Sequence, residues 1–466
     1  MEHKNVVPPA GAATRREFLK KTATVAAAVA TTSLFKTPVY GQNQAPSTGR
    51  VIGANDRIVV GYIGIGGKPS NSPGMGMAHV ESQKRAAAEN NIAQAAVCDL
   101  YSTRVDLAKQ SIGGDCAGFS DYRKLLERKD IDAVVIATHD IWHAQCSIDA
   151  LNAGKHVYCE KPFTRYLGEA YEVRDVVKKT GKVFQLGSQG CTAAAWHKSA
   201  EMIRAGKIGQ IVWGQGFYCR NNPKGEWNYS IDDKCTAANT DWDMWQGKAK
   251  QKVPFSPERF FRWRKFYPYC PGLLGDLVPH RLLPLMLATG NPEFPKRVVC
   301  IGTKNVHTDK GTPNAEEREV PEHLQLLAEF PSGLLLTITA STVNAKSPGF
   351  VIYGHKATLE IGTSGERLHL VPEKDFADDI DPENLDGLMP SEDVAAHEKN
   401  WFESIRANKT PNADVELAIR SQAVIALAEM SERMNVACLY DENARKITTG
   451  DGRELPALTY GTLPES

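Results

Sequence analysis

Short apolar runs alternate with helix-like segments over the first half of the chain. The run 57–64 ends in glycine, and later runs cover 95–98, 132–138 and 156–159, with a candidate edge strand at 182–186. The segments between them carry helical patterns, and one is followed by Gly154, a residue typical of helix C-termini. Strands that alternate with helices in this way predict a doubly wound α/β domain with a parallel sheet.

The pattern changes after about residue 200. Strand-like runs follow one another with hairpin signals such as the turn at 331–333, and they occupy 210–220, 297–307, 322–330, 334–342 and 356–361. Two helical patterns close the chain within 397–434. We therefore predict an α+β domain over 191–466 with an open-faced, mainly antiparallel sheet, whose C-terminal helix is a candidate to pack back on the first domain. A sheet with an open face also favours a homo-oligomer.

The N-terminus has the features of an export signal. Arg15 and Arg16 precede Phe18 and Leu19, and the apolar stretch 22–34 is too short to span a bilayer. We predict a twin-arginine (Tat) signal peptide at 1–41, read by the Tat export machinery, and a linker at 42–56. The mature protein is then periplasmic or otherwise exported, without a membrane anchor. The alternative is a disordered tail.

Charge and cysteine content exclude some function classes. The 55 basic and 55 acidic side chains leave no net charge, so the composition gives no basic excess that would indicate nucleic-acid binding. The ten cysteines form no C-x-x-C pair and have no zinc-ligand spacing, so no metal site is predicted. We interpret most of the cysteines as buried apolar residues, and the sequence does not decide whether any of them form disulfides.

A glycine-rich turn follows the first strand. Gly64 and Gly66 would allow a tight turn and close approach of a pyrophosphate, and we interpret Gly76 as the displaced helix-packing glycine after an insertion at 67–73. Asp99 ends the second strand, where a carboxylate would bind ribose hydroxyls and favour NAD over NADP. Arg104 lies close enough in sequence to leave NADP as the alternative. The segment 57–190 is thus predicted to be a Rossmann dinucleotide-binding domain.

The segment 153–162, AGKHVYCEKP, resembles the signature of the glucose–fructose oxidoreductase / inositol dehydrogenase (Gfo/Idh/MocA) family. The resemblance extends over nearly all of the mature chain, including 137–138, 185–189, 275–280 and 400–414. It implies a catalytic role for Lys161, and it places Thr138, His143, Glu160 and Gln189 at the cofactor crevice. The role of His139, which stands where many relatives have proline, is left open.

The same resemblance points to a reacting centre that suits carbinol oxidation, which needs a base and a donor to the developing alkoxide. His280 would be the general acid/base, while Asp276 would touch substrate hydroxyls or orient the imidazole. Their i, i+4 spacing puts them on one helix face if the helix begins near Asp276, since Pro279 is tolerated in a first turn. Trp263 and Arg264 are candidate sugar contacts, although the surrounding aromatic cluster could equally be core or oligomer interface.

Three functions are consistent with these residues. The leading hypothesis is NAD(P)-dependent hydride transfer to or from a sugar or cyclitol, either as a dehydrogenase or between two sugars on one retained cofactor. The second is NAD-dependent glycoside cleavage by transient oxidation and elimination, although the His-rich motif expected around 225–285 is missing. The third is a non-catalytic NAD-binding or sugar-binding protein.

Overall fold

A computed structural model describes residues 57–66, 74–312, 315–390 and 392–463. The predicted signal peptide at 1–41 and the linker at 42–56 lie outside these residues. Six parallel strands form the first sheet in the order β3-β2-β1-β4-β5-β6. They are β1 (Ile58–Ile63), β2 (Ile92–Cys98), β3 (Ala117–Phe119), β4 (Ala133–Ile136), β5 (His156–Glu160) and β6 (Phe184–Gly187). The predicted doubly wound parallel sheet is confirmed.

Five helices connect these strands. They are α1 (Met75–Arg85), α2 (Ser102–Ile112), α3 (Tyr122–Leu126), α4 (His143–Asn152) and α5 (Leu167–Thr180). Helix α5 ends at Gly181, whose backbone is left-handed (φ 64°) and donates to the carbonyl of Val177. Because every strand of a parallel sheet is buried, residues such as Val60 and Val134 have no exposed surface.

A second sheet of eleven strands follows in the order β14-β13-β12-β11-β7-β10-β9-β8-β15-β16-β17. All its pairs are antiparallel except β7 with β10. Its strands are β7 (Ile211–Cys219), β8 (Arg297–Thr303), β9 (His323–Glu329), β10 (Leu335–Ser341), β11 (Phe350–Gly354), β12 (Ala357–Ile361), β13 (Arg367–Pro372), β14 (Glu383–Asp386), β15 (Cys438–Asp441), β16 (Lys446–Thr448) and β17 (Glu454–Leu455). The mainly antiparallel second sheet is confirmed.

One face of this sheet is covered and the other is open. Along β9, Leu324, Leu326 and Ala328 are buried, while Gln325 and Leu327, which alternate with them, are exposed. The helices of this part of the chain are α6 (Ala194–Arg204), α7 (Trp242–Gln246), α8 (Pro257–Arg262), α9 (Leu273–Asp276), α10 (Pro279–Ala288), α11 (Val394–Ala407) and α12 (Val415–Met434). Helices α10 and α12 pack on the covered face against β7 and β8. The homo-oligomer stays a prediction.

The C-terminal helices return to the first sheet. Helix α11 packs on α1, and α12 packs on α5 as well as on the second sheet. The predicted domain boundary near residue 190 stays a prediction. Within the described residues, no helix is long and apolar enough to cross a membrane. All ten cysteines are free thiols, nine of them buried, and the described ranges hold no cluster of metal-ligating side chains.

A buried ionic network holds α11 against the first domain. His79 of α1 lies between two carboxylates, with Nε2 2.9 Å from Glu160 and Nδ1 2.7 Å from Glu398 of α11. Ser82 and Gln83 also donate to Glu398. Burial alone would lower the pKa of His79, but the two carboxylates outweigh it and raise the pKa to about 9. A buried imidazolium therefore bridges Glu160 of β5 and Glu398 of α11.

Replacing His79 by glutamine tests this network. The loss should destabilise the fold by about 3 kcal/mol at pH 6.5, because two buried carboxylates lose their counter-charge. Since the folded pKa is raised, the stabilisation is complete below pH 6.5, the ordinary value, and is lost as pH rises through about 9. Chemical denaturation at both ends of this range should show the pH-dependent loss in the wild type and in the exposed-residue control His355→Gln, but not in His79→Gln. Equal pH slopes in all three proteins would contradict the assignment.

Candidate functional site

A cleft of about 480 Å³ opens at the carboxyl ends of β1, β2 and β4. In the strand order observed, connections leave β1 and β4 toward opposite faces of the sheet, which produces a crevice between them where such folds bind ligands. The second domain supplies the opposite wall through residues of β7 and of the segment between β7 and α10. The predicted site residues can be placed relative to this cleft.

The glycine turn lines the cleft as predicted. Gly64 and Gly66 have positive φ values of 82° and 58°, and a Cβ on Gly64 would lie 2.7 Å from the backbone nitrogen of Thr138. Gly76 lies behind the turn, where a Cβ would come within 2.0 Å of the Gly64 carbonyl oxygen, so it permits close packing of α1. The insertion 67–73 lies outside the described residues.

The first residues of α1 line the cleft. Gly74 is its N-cap and provides no side-chain cap, and the first turn of the helix has no acidic residue. Both Gly74 and Met75 line the cleft. Free backbone N–H groups at a helix N-terminus favour a phosphate.

Asp99 contacts the glycine turn itself. One carboxylate oxygen accepts from the backbone N–H of Ile65 (2.8 Å) and of Gly66 (3.2 Å), and the other accepts from Tyr101. Asp99 still lines the cleft. In this structure it stabilises the turn, a role that the sequence interpretation did not include, and its contact with a ribose stays a prediction.

The remaining predicted cofactor residues divide into two groups. Thr138, Glu160 and Gln189 line the cleft, and Gln189 Nε2 donates to Glu160 (2.9 Å). His143 instead lies behind the wall, with Nδ1 2.6 Å from the carbonyl oxygen of Pro162 and Nε2 3.1 Å from that of Thr138. Both ring nitrogens join the loops that follow β4 and β5, His143 is not among the residues that line the described cleft, and its cofactor contact stays a prediction.

Lys161 follows β5 directly and projects into the cleft. Its ammonium donates to Asp276 Oδ1 (2.6 Å) and to the Asp276 carbonyl (2.8 Å). Arg264 Nε lies 3.0 Å from the same carboxylate oxygen, and Trp227 Nε1 donates to Oδ2 at 2.8 Å. Burial alone would raise the pKa of Asp276, but Arg264, Lys161 and Trp227 hold it well below its usual range. Asp276 is therefore an ionised anchor for the lysine.

His280 reaches the same cleft from a different helix. Helix α9 ends at Asp276 and α10 begins at Pro279. Leu277 and Val278 between the two helices are also right-handed helical, and Pro279 begins the second helix, as its missing N–H favours. The side chains of Asp276 and His280 both line the cleft, so their common face stays a prediction. Nδ1 of His280 lies 3.3 Å from Oε1 of Glu392. Burial and the charge of Lys161 lower the pKa of His280, which favours the neutral imidazole.

The candidate sugar contacts both lie at the cleft. Trp263 lines it, and the guanidinium of Arg264 lies 4.1 Å from the Trp263 ring centroid, so a sugar would have to pack on the opposite ring face. His139 stacks on Trp245 with ring centroids 4.4 Å apart. Most of the aromatic cluster around Trp242 and Trp245 is buried, which makes it core.

Several cleft residues were not predicted from the sequence. They are Tyr218, Arg220, Tyr229, Glu392 and the aromatic pair Phe260 and Phe261. Tyr218 and Arg220 come from the end of β7, and no spacing links them to the motif around Lys161. Arg104, the residue that leaves NADP as the alternative cofactor, also lines the cleft, and its guanidinium lies 4.7 Å from the Phe260 ring centroid.

Two family models match the chain over the regions that form this site. The oxidoreductase family with an NAD-binding Rossmann fold matches residues 59–188, and the GFO/IDH/MocA C-terminal domain matches residues 236–360. The chain belongs to the Gfo/Idh/MocA oxidoreductase family. The predicted resemblance is confirmed, and the cofactor of this Gfo/Idh/MocA protein is NAD.

Curated relatives match at moderate identity. A glycosyl hydrolase family 109 protein of a Shewanella species is 28% identical over 243 residues, covering 49% of this chain and 50% of the relative. An alpha-N-acetylgalactosaminidase of Shewanella oneidensis is 28% identical over 222 residues, covering 44% and 45%. The chain spans about half the length of the curated relatives it matches.

Solved structures share the fold. An oxidoreductase domain protein from Kribbella flavida superposes with a TM-score of 0.62 at 21% identity, covering 82% of this chain and 98% of that one. Levoglucosan dehydrogenase in complex with NADH has a TM-score of 0.61 at 19% identity, with the same coverage. At this identity the likeness concerns the fold alone.

The residues present fit NAD. The turn at Gly64 and Gly66 has no room for side chains against the neighbouring backbone, and the first turn of α1 lines the cleft without an acidic side chain. Gly64, Gly66 and Gly74 would hold the pyrophosphate, and Thr138, Lys161 and Gln189 line the deeper part of the same cleft.

Gly76→Ala tests the turn. A methyl group 2.0 Å from the Gly64 carbonyl must displace α1 from the turn. We expect at least tenfold weaker NAD binding by calorimetry and a loss of about 1–3 kcal/mol of stability. Gly168→Ala is the matched control, because it is helical, exposed and has no atom within 4 Å of the added Cβ. Equal affinities of the two variants for NAD would contradict the packing role of Gly76.

Proposed function

We propose that this protein is an NAD(P)-dependent oxidoreductase that transfers a hydride between nicotinamide and a hydroxyl or carbonyl carbon of a sugar or cyclitol. The observation that carries the proposal is the convergence of Lys161 and His280 on the NAD cleft. The fold-level likeness to levoglucosan dehydrogenase, solved with NADH and levoglucosan, supports a carbohydrate as substrate.

Lys161 is the donor to the reacting oxygen. Its ammonium is fixed by both the carboxylate and the carbonyl of Asp276, so its remaining N–H is available to a substrate hydroxyl. A fixed donor stabilises charge as it develops on that oxygen, at little reorganisation cost. Asp276 thus acts by holding Lys161, while Arg264 and Trp227 complete its coordination.

His280 is the base. Its neutral imidazole takes the hydroxyl proton while the C–H electron pair leaves carbon as hydride and the C=O bond forms. NAD, when bound, supplies the hydride acceptor. In the reverse direction the imidazolium returns the proton to the carbonyl oxygen.

A second candidate function is supported by the curated relatives. An alpha-N-acetylgalactosaminidase and several glycosyl hydrolase family 109 proteins match about half of this chain. In that function the oxidation is transient: it acidifies a neighbouring C–H, the glycosidic bond is eliminated, and hydride returns to carbon. The same donor and base would serve the oxidation step.

One experiment separates the candidates. The NAD-loaded protein is incubated with a sugar and cyclitol panel and, separately, with p-nitrophenyl glycosides. We expect NADH absorbance with a member of the panel. Release of p-nitrophenol without net NADH would favour glycoside cleavage, and bound cofactor with neither reaction would favour a non-catalytic protein.

Lys161→Met should lower turnover at least about 100-fold in either enzymatic case, because the donor to the reacting oxygen is lost. Lys198→Met is the control, since Lys198 is exposed and pairs with Glu201 on the surface. Unchanged turnover in Lys161→Met would overturn the proposal.

We also propose that the protein is exported by the Tat machinery to the periplasm. Arg15 and Arg16, followed by a weakly apolar stretch, support this. Changing both arginines to lysine should retain the protein in the cytoplasmic fraction, whereas changing Lys20 and Lys21 to arginine should not. Export that is independent of the arginine pair would contradict the assignment.

A further inference from the structure

The imidazole of His280 faces a carboxylate that the sequence argument did not consider. Nδ1 of His280 lies 3.3 Å from Oε1 of Glu392, and Arg281 lies 3.1 Å from the same oxygen. Both Nδ1 and Oε1 are buried, and neither makes a hydrogen bond elsewhere in the described part of the chain. An imidazole N–H and a carboxylate oxygen at this distance need only a small adjustment to form a hydrogen bond, and the ion pair with Arg281 leaves the carboxylate able to accept it.

Asp276 is not available to accept a hydrogen bond from the imidazole of His280. Its Oδ1 accepts from Lys161 and pairs with Arg264, and its Oδ2 accepts from Trp227. Turning it toward the imidazole would leave the ammonium and the guanidinium without their counter-charge. The carboxylate that serves His280 must therefore come from elsewhere.

Glu392 comes from the segment just before α11. Its backbone is left-handed (φ 68°), a conformation that non-glycine residues adopt rarely, and its side chain lines the cleft. The next residue, Asp393, caps α11. Glu392 is thus attached to the helix whose Glu398 is bound by His79 in the first domain.

We propose that Glu392 is the positioning residue of His280, holding Nδ1 so that Nε2 is presented to the substrate and stabilising the imidazolium that forms when the proton is taken. This role rests on the proposed function, in which His280 is the base. A base is more effective when a third group fixes its orientation and tautomer.

The charges around His280 set the direction of the test. Lys161 and Arg281 are the facing cations, Glu160 and Glu392 the facing carboxylates, and the Tyr218 ring centroid is 5.6 Å away. Burial and the cations lower the pKa of His280, whereas Glu392 raises it. Burial alone would raise the pKa of Glu392, but His280 and Arg281 hold it at about 2, so Glu392 is ionised throughout the working range.

NMR titration of histidine side chains in the full chain measures this pairing without requiring turnover. His280 is assigned through the signal that disappears in His280→Asn. Glu392→Gln should lower the His280 midpoint by about half a pH unit or more, while Arg281→Met should raise it. The His280 midpoint in Glu392→Asp should stay near that of the wild type. Glu89→Gln is the control, because Glu89 is exposed and pairs with Lys399 on the surface.

The opposite shifts expected for the His280 midpoint in Glu392→Gln and Arg281→Met distinguish a positioning role of Glu392 from a purely structural one. If Glu392 only anchors α10 through Arg281, then Glu392→Gln and Arg281→Met should change the titration alike, which would overturn the proposal. An unchanged midpoint in Glu392→Gln would also overturn it. Should Glu392→Gln fail to fold, Arg281→Met still gives the sign, and a His280 midpoint that does not rise in that variant would overturn the proposal.

Turnover provides the second readout once a substrate is found. In Glu392→Gln the acid limb of kcat/KM should move to lower pH and kcat should fall about tenfold, with KM little changed. Glu392→Asp should recover much of this loss. If the wild type turns over no carbohydrate, the proposed function fails, while the NMR titration still decides whether Glu392 and His280 are paired.

Discussion

The site depends on the carboxylate of Asp276, which binds Lys161, Arg264 and Trp227 in one buried cluster. Lys161 directly follows β5 of the parallel sheet, whereas the other three come from the part of the chain after β7. The cluster therefore fixes how the two walls of the cleft meet. A buried ion pair gains little net stability, but removing one partner leaves a costly uncompensated charge, so such a contact enforces one arrangement.

A second buried network lies behind the first. Glu160 precedes Lys161 and is hydrogen-bonded to Gln189 and His79, and His79 reaches Glu398 on α11. Two neighbouring side chains, Glu160 and Lys161, are thus each held by a separate buried network. Both networks join residues more than 80 positions apart.

The sequence predicted the elements with strong local signals. The strand entering Gly64, the close approach at Gly76 and the strand before Lys161 are each encoded within a few residues. Short edge strands such as β3 and β14 were missed because three or four residues carry too little periodicity. Asp276 and His280 both line the cleft, and the sequence did not show that Pro279 begins a second helix between them. Glu392 was missed because only tertiary packing brings it to His280.

The most direct test of the account is a crystal structure with NADH and a carbohydrate that the protein turns over. We predict that the nicotinamide ring lies beside Lys161 and His280, with one substrate hydroxyl within hydrogen-bond distance of both side chains. A nicotinamide ring bound away from these two residues, or a carbohydrate whose hydroxyls contact neither of them, would contradict it.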